Sequence, residues 1–185
     1  MKKNLFSMLV VLVLLFSAKV EAYYPVQPMD LLNNINNKGY NFQSSLSKNQ
    51  PPNRMPAYFC SSLDYPQFTL MFVANATSKY TFDAYMQVNV KYAERNGYVA
   101  DAVLVRAVDI YNNAIRNEMG GIFFREIAYR EVINYKNAVM QGQNPKPLVI
   151  NTREVDGGVF YSQVTFQTRQ NDVLIKIGNF YYAND

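Results

Sequence analysis

Between residues 99 and 119 the apolar positions recur with a helical period. Val103, Ala107, Ile110 and Ala114 share one face, and Leu104, Val108, Tyr111 and Ile115 widen it. Asp101, Arg106, Asp109, Asn112, Asn113, Arg116 and Asn117 fall on the opposite side, so the segment predicts an amphipathic helix. Gly120-Gly121 ends it, because glycine reaches left-handed backbone geometry without a Cβ clash. A second helix is predicted over 122–140 from Phe124, Ile127, Ala128, Val132, Tyr135 and Val139, closed by Gly142 and Pro145. A glycine hinge between two such helices predicts an antiparallel helical pair.

Beyond Pro147 the period falls to two. Pro147–Val155, Val159–Thr168 and Val173–Tyr182 are rich in Val, Ile, Phe, Tyr and Thr, with turn residues at Asp156-Gly157-Gly158 and Arg169-Gln170-Asn171-Asp172. They predict a three-stranded antiparallel meander. In its middle strand Phe160, Ser162, Val164 and Phe166 point one way, and Tyr161, Gln163, Thr165, Gln167 and Arg169 point the other. One face is thus expected in the core and one wet. The expected core includes Val103, Ala107, Val108, Ile115, Val164, Phe166 and Ile175.

The N-terminal half is less periodic. Phe68–Ala74 is a short apolar run between Pro66 and Asn75, as in a buried strand. Residues 82–96 fit both templates: Met86, Val88, Val90 and Tyr92 alternate with polar residues, yet Phe82, Met86 and Val90 also share a helical face before Gly97. The alternation favours a strand. Residues 23–57 read as an extended arm or loop. Within it Met29–Ile35 predicts a short helix capped by Asp30 and stopped at Gly39, and Gln43–Pro56 is polar with Pro51, Pro52 and Pro56.

Residues 1–22 carry a different pattern. Lys2 and Lys3 precede the apolar stretch Leu5–Phe16, and Val20 and Ala22 stand where a signal peptidase requires small or slim side chains. A cleavable secretory signal is expected, leaving no membrane span in the mature chain and a protein that is periplasmic or secreted. The division is then a signal at 1–22, an arm at 23–57 and a single globular domain at 58–185.

These elements predict an α+β fold: an N-terminal arm and a helical pair packed on an antiparallel sheet dominated by the C-terminal meander. A long helix preceding a curved meander resembles, in architecture, the cystatin-like and nuclear-transport-factor-like cones. Architecture of that kind implies no function.

Composition narrows the chemistry. The formal charge is +4, and loss of Lys2, Lys3, Lys19 and Glu21 would leave +2. The remaining charges alternate in sign, so no nucleic-acid partner is expected. Cys60 is the sole cysteine and is expected to be buried and inert; no intramolecular disulfide can form. Frequent Asn, including Asn33-Asn34, Asn36-Asn37 and Asn112-Asn113, matches the bias of an AT-rich genome, and two lysines before a compact apolar run look bacterial. Asn75-Ala76-Thr77 is a glycosylation sequon only in a eukaryotic host.

The chain has no histidine and no tryptophan. Histidine-dependent nucleophilic sites, imidazole bases and ordinary zinc centres are therefore ruled out, and no catalytic, cofactor or metal residue is assigned. Paired carboxylates are the one remaining catalytic option, with Asp101, Asp109, Glu118, Glu126 and Glu131 as candidates. Basic neighbours at helical spacing, Arg106 for Asp109 and Arg130 for Glu126, read instead as a salt-bridged solvated face.

Tyrosine is the notable excess at 15 residues. Tyr23, Tyr24, Tyr58, Tyr65, Tyr161, Tyr181 and Tyr182 lie in arms or strands where some must reach the surface, and a ring with a polar tip suits recognition. Alternation places Tyr161, Gln163 and Gln167 on the wet side of the middle strand as an interaction surface. The expected function is that of an exported, non-catalytic protein acting through protein contact. In a bacterium that means an accessory envelope or secretion-system component, or a secreted virulence-associated factor. A module binding a small apolar ligand or glycan is the alternative, and a carboxylate-based hydrolase the third.

Overall fold

The strands are β1 (Gln43–Leu46), β2 (Ala57–Ser61), β3 (Phe68–Ala74), β4 (Thr81–Asn89), β5 (Leu148–Val155), β6 (Gly158–Arg169) and β7 (Asp172–Ala183). The helices are α1 (Pro28–Asn37), α2 (Val90–Arg95), α3 (Ala100–Ile110), α4 (Arg116–Glu118) and α5 (Tyr129–Met140), with a π-helical turn at Tyr111–Ile115 joining α3 to α4. This computed structural model describes residues 26–46, 56–74, 81–119, 124–155 and 157–183. Residues 1–25, which hold the expected secretory signal with Tyr23 and Tyr24, the tripeptide 75–77, Gly120-Gly121 and residues 47–55 lie outside them.

All seven strands form one antiparallel sheet in the order β1-β2-β3-β4-β7-β6-β5, so the fold is α+β as expected. It consists of two meanders joined where β4 meets β7, with Met86 opposite Ile177 and Val88 opposite Ile175. The C-terminal meander appears within two residues of the expected bounds. It supplies the two longest strands, β6 and β7, and β1 to β4 complete the sheet. A strand at Gln43–Leu46 replaces part of the expected loop, pairing Ser44 with Cys60. The arm also contributes α1, whose Leu31 and Ile35 are fully buried. That helix starts at Pro28, a residue suited to a first turn, and Asp30 lies in the first turn instead of capping it.

The ambiguous segment is both things in succession. Period two holds through β4; then the Asn89 side chain accepts from the Tyr92 N–H at 2.8 Å and starts α2. Gly97, at φ +78°, ends that helix.

The long central helix changes pitch at Tyr111–Ile115, where the Arg116 N–H reaches the Tyr111 carbonyl five residues back. Side chains meet the carbonyls around this turn: Arg116 Nε donates to Asn112 O at 3.1 Å, and Lys38 Nζ to Asn113 O at 2.7 Å. Its effect is to keep Tyr111, Ala114 and Ile115 buried on the same side as Val103, Leu104, Ala107 and Val108.

The second helix begins at Tyr129, seven residues later than periodicity predicts. Asn112 explains the difference: its Oδ1 accepts from the Ile127 N–H and its Nδ2 donates to the Ile127 carbonyl, both at 3.0 Å. Arg116 also holds the Phe124 carbonyl at 3.3 Å, so the backbone before α5 has partners outside any helix. Asn36 makes the same two-point bond to Phe42, with N–H and C=O distances of 2.7 and 2.8 Å. The helices α3 and α5 run antiparallel, since Asp101 meets Lys136 and Asp109 meets Tyr129.

Among the described residues, helical side chains pack on one face of the sheet. Val103, Ala107, Val108, Ile115, Val164 and Ile175 are buried there as expected. Phe166 shares the face but is half-buried at the rim of the core, edge-on to Tyr135 at 6.2 Å.

Candidate functional site

The opposite sheet face carries no described helix. Strand register places one row of outward residues across all seven strands: Ser45, Phe59, Met71, Tyr85, Gly178, Gln163 and Val149. At ~4.8 Å per strand the row is roughly 29 Å wide, the scale of a protein-binding surface.

Its centre is aromatic. Tyr85 stacks on Phe180 with ring centroids 4.9 Å apart, and Met71 completes a small cluster separate from the main core. Gly178 permits this arrangement. A Cβ there would lie 2.4 Å from Tyr85 Cβ and 2.3 Å from the Ala84 carbonyl, so any side chain would force the two strands apart. Lys176 Nζ lies 5.6 Å from the Tyr85 centroid, within cation–π range. Burial pushes the Tyr85 hydroxyl up to about 12, with Asp83 adding to the shift.

Asp83 is lifted above the ordinary carboxylate range by burial, against the opposing pull of the Tyr181 N–H and Lys176. Lys176 is lowered by burial and by Arg169. This face therefore has few charges, and two of them are partly withdrawn from water.

Tyr161, Gln163 and Gln167 all point to this face. Tyr161 meets Tyr182 edge-on at 5.1 Å, and Tyr182 is 52% exposed. Gln167 accepts from Lys176 Nζ at 3.2 Å. Gln163 has the expected direction but is only 3% exposed, because its Nε2 donates to the Tyr182 hydroxyl at 3.1 Å. Its place on the wet face is corrected to a buried support for Tyr182. Among the other tyrosines, Tyr58 and Tyr181 pack against the main core, and Tyr65 stacks on Phe68 at 5.3 Å.

The apolar residues missed in the sequence, Met71, Tyr85 and Phe180, obey the same alternation as their neighbours. What alternation omits is that β4 and β7 are adjacent, which brings them together.

The carboxylate candidates are dispersed around the helical layer, each with a partner. Asp101 accepts from Lys136 at 2.6 Å, Glu131 pairs with Arg125 at 3.3 Å, and Glu118 lies 3.6 Å from Lys38. Asp109 accepts from the Tyr129 hydroxyl and stands 4.0 Å from Arg106. Glu126 pairs with Arg116 at 3.1 Å and not with Arg130, since residue 126 precedes the helix. Among the described residues no cluster of three or more His, Cys, Asp or Glu is placed to hold a metal ion. Nor is any described helix long and apolar enough to cross a membrane.

Comparison of the chain with protein-family models, curated proteins and solved structures finds no match. Fold and site define an α+β protein with a seven-stranded sheet, helices on one face and an aromatic, amide-rich opposite face.

Proposed function

We propose that the chain is an exported, non-catalytic protein that binds a protein partner through the outward face of its sheet. The observation carrying this reading is the set of exposed apolar residues on this face, Phe59, Val149 and Tyr182 at 39%, 46% and 52%, which flank the buried Met71, Tyr85 and Phe180 that support them. Tyrosine and other aromatics supply much contact area at little conformational cost, and neutral amides join a partner without the desolvation penalty of charges. Among the described residues, Lys176 and Arg169 are the cations on this face. The occupant is accordingly a folded protein offering apolar side chains for the row and a carboxylate for this corner. Export is supported by the charged, apolar and small-residue order of residues 1–22.

Site-specific photocrosslinking tests the reading, with the photoreactive residue at position 182 on the outward face or at position 129 on the helical face. A discrete protein adduct from position 182, absent from 129 and abolished by Tyr161→Ala in a folded chain, is the expected result. Adducts from 129 alone, from both equally or from neither would overturn it. Export is checked by the N-terminus of the mature protein, expected near Tyr23; an intact Met1 would refute it.

A further inference from the structure

Where β3 begins and β4 ends, the outward face folds into a cavity of about 240 Å³ lined by Pro66, Gln67, Phe68, Thr69, Gln87, Asn89, Tyr92 and Leu174. We infer that this cavity is a binding site for a neutral carbohydrate, taking a single pyranose ring. It is separate from the exposed tyrosine corner. Leu174 and Tyr182 are eight residues apart on β7, roughly 26 Å at ~3.3 Å per residue.

The lining selects the chemistry. None of its residues is acidic or basic, so nothing there neutralises an anion or a cation. Three carry amides and two, Thr69 and Tyr92, carry hydroxyls, and each amide has both donors and an acceptor. Sugar hydroxyls are likewise donors and acceptors at once, and an array of amides satisfies them in either sense. The Gln67 side-chain oxygen is closed to solvent and has no hydrogen-bond partner, leaving an acceptor unsatisfied beside the cavity. A ligand hydroxyl meets that need once the Gln67 side chain turns its oxygen toward the cavity.

The remaining walls are apolar. Tyr92, 36% exposed, presents a ring, and Pro66 and Leu174 add aliphatic surface. An aromatic face is electron-rich and attracts the polarised C–H groups on the flat side of a pyranose. Asn89 is already engaged by the Tyr92 N–H and by Asp172, but an apolar ligand would cover Gln67, Gln87 and Thr69 without offering them a partner, which penalises it relative to a sugar. The volume is below the ~300–1,000 Å³ of sites for drug-sized molecules, which is why one ring is proposed and not a longer chain. Affinity for a free monosaccharide is accordingly expected in the millimolar range.

The lining is also well fixed. Asn89 is held by its bond to the Tyr92 N–H, while Thr69 and Gln87 face each other in β3–β4 register. A ligand would therefore meet a largely formed site.

The test is an NMR titration of isotope-labelled protein with glucose, galactose and N-acetylglucosamine, using inorganic phosphate and indole as controls. The expected result is saturable shifts of the Gln67, Gln87 and Asn89 side-chain amides with at least one sugar. Gln87→Ala and Tyr92→Ala should each weaken that binding at least tenfold while leaving the remaining spectrum folded. Absence of saturable shifts with all three sugars would overturn the inference, as would shifts produced by phosphate or indole in preference to them. If both variants unfolded, Thr69→Val would supply the same comparison, and unchanged sugar binding in it would count against the site. Crosslinking at position 182 reports on the protein-contact surface independently, so either proposal can fail without the other.

Discussion

Replacing Tyr111 by Phe removes a single oxygen from the π-helical turn and leaves the ring in place. That oxygen is buried between the helical layer and the sheet, donating to Asn179 Oδ1 at 2.9 Å and sharing a short hydrogen bond with Ser162 Oγ. All three residues are fully buried, so water cannot replace what is lost. Two hydrogen bonds disappear, at ~0.5–1.5 kcal/mol each, and two polar groups are left unsatisfied at ~1–3 kcal/mol each. These contributions overlap, and Phe is the more apolar ring, so the net loss is set at about 2–4 kcal/mol. Asn179 suffers most, because its Nδ2 already has no partner and its carbonyl would lose the one it has. Urea unfolding followed by far-ultraviolet circular dichroism measures the loss directly. For a chain of this size a melting point lower by roughly 4–16 °C should accompany it. A double variant provides the internal check: Tyr111→Phe with Asn179→Leu removes both partners and should recover part of the stability. A loss below ~0.5 kcal/mol for Tyr111→Phe would refute the claim that this hydroxyl completes a buried network.

Three further outcomes follow from the same geometry. Asp83 is raised in the folded state, so its contribution to stability is fully present below the unfolded pKa and is lost as pH rises through the folded pKa. Asp83→Asn keeps an acceptor for the Tyr181 N–H, and its stability relative to the parent should rise over that acid window; a flat or falling difference in urea titrations would contradict this. Cys60 is fully buried and its thiol is pushed up to about 12, so native protein should react with a thiol reagent far more slowly than urea-unfolded protein, and equal rates would place the thiol at the surface. Phe160→Ala should cost ~3–5 kcal/mol in unfolding experiments, and Phe166→Ala clearly less, because Phe160 is 1% exposed and Phe166 only half-buried.

How far the chain could be read from its residues depended on the range of the interactions. The C-terminal strands were legible because period two and strong turn residues coincide, so local signals agree. β1 was not, since Gln43-Ser44-Ser45-Leu46 has a single apolar residue and becomes a strand through pairing with β2. The start of α5 was misplaced because the backbone at Ile127 is held by an asparagine 15 residues earlier, which no local periodicity records. The direction of Tyr161, Gln163 and Gln167 followed from alternation alone. The burial of Gln163 did not, because it depends on a tyrosine on the neighbouring strand. The cavity is less legible still: its lining comes from four separate stretches brought together by register between β3, β4 and β7.

The asparagine pairs, in the sequence no more than a compositional bias, have a consequence for how the fold is fastened. Asn36 fastens the chain after α1, and Asn112 fastens the approach to α5, each closing a loop through two hydrogen bonds to one residue's backbone. Exported domains commonly close such loops with cystine bridges, which require an oxidant to form and yield to reductants. Carboxamide fasteners form as soon as the chain meets itself and ignore the redox potential around them. With Cys60 free and buried, changes in thiol–disulfide poise leave both loop closures untouched.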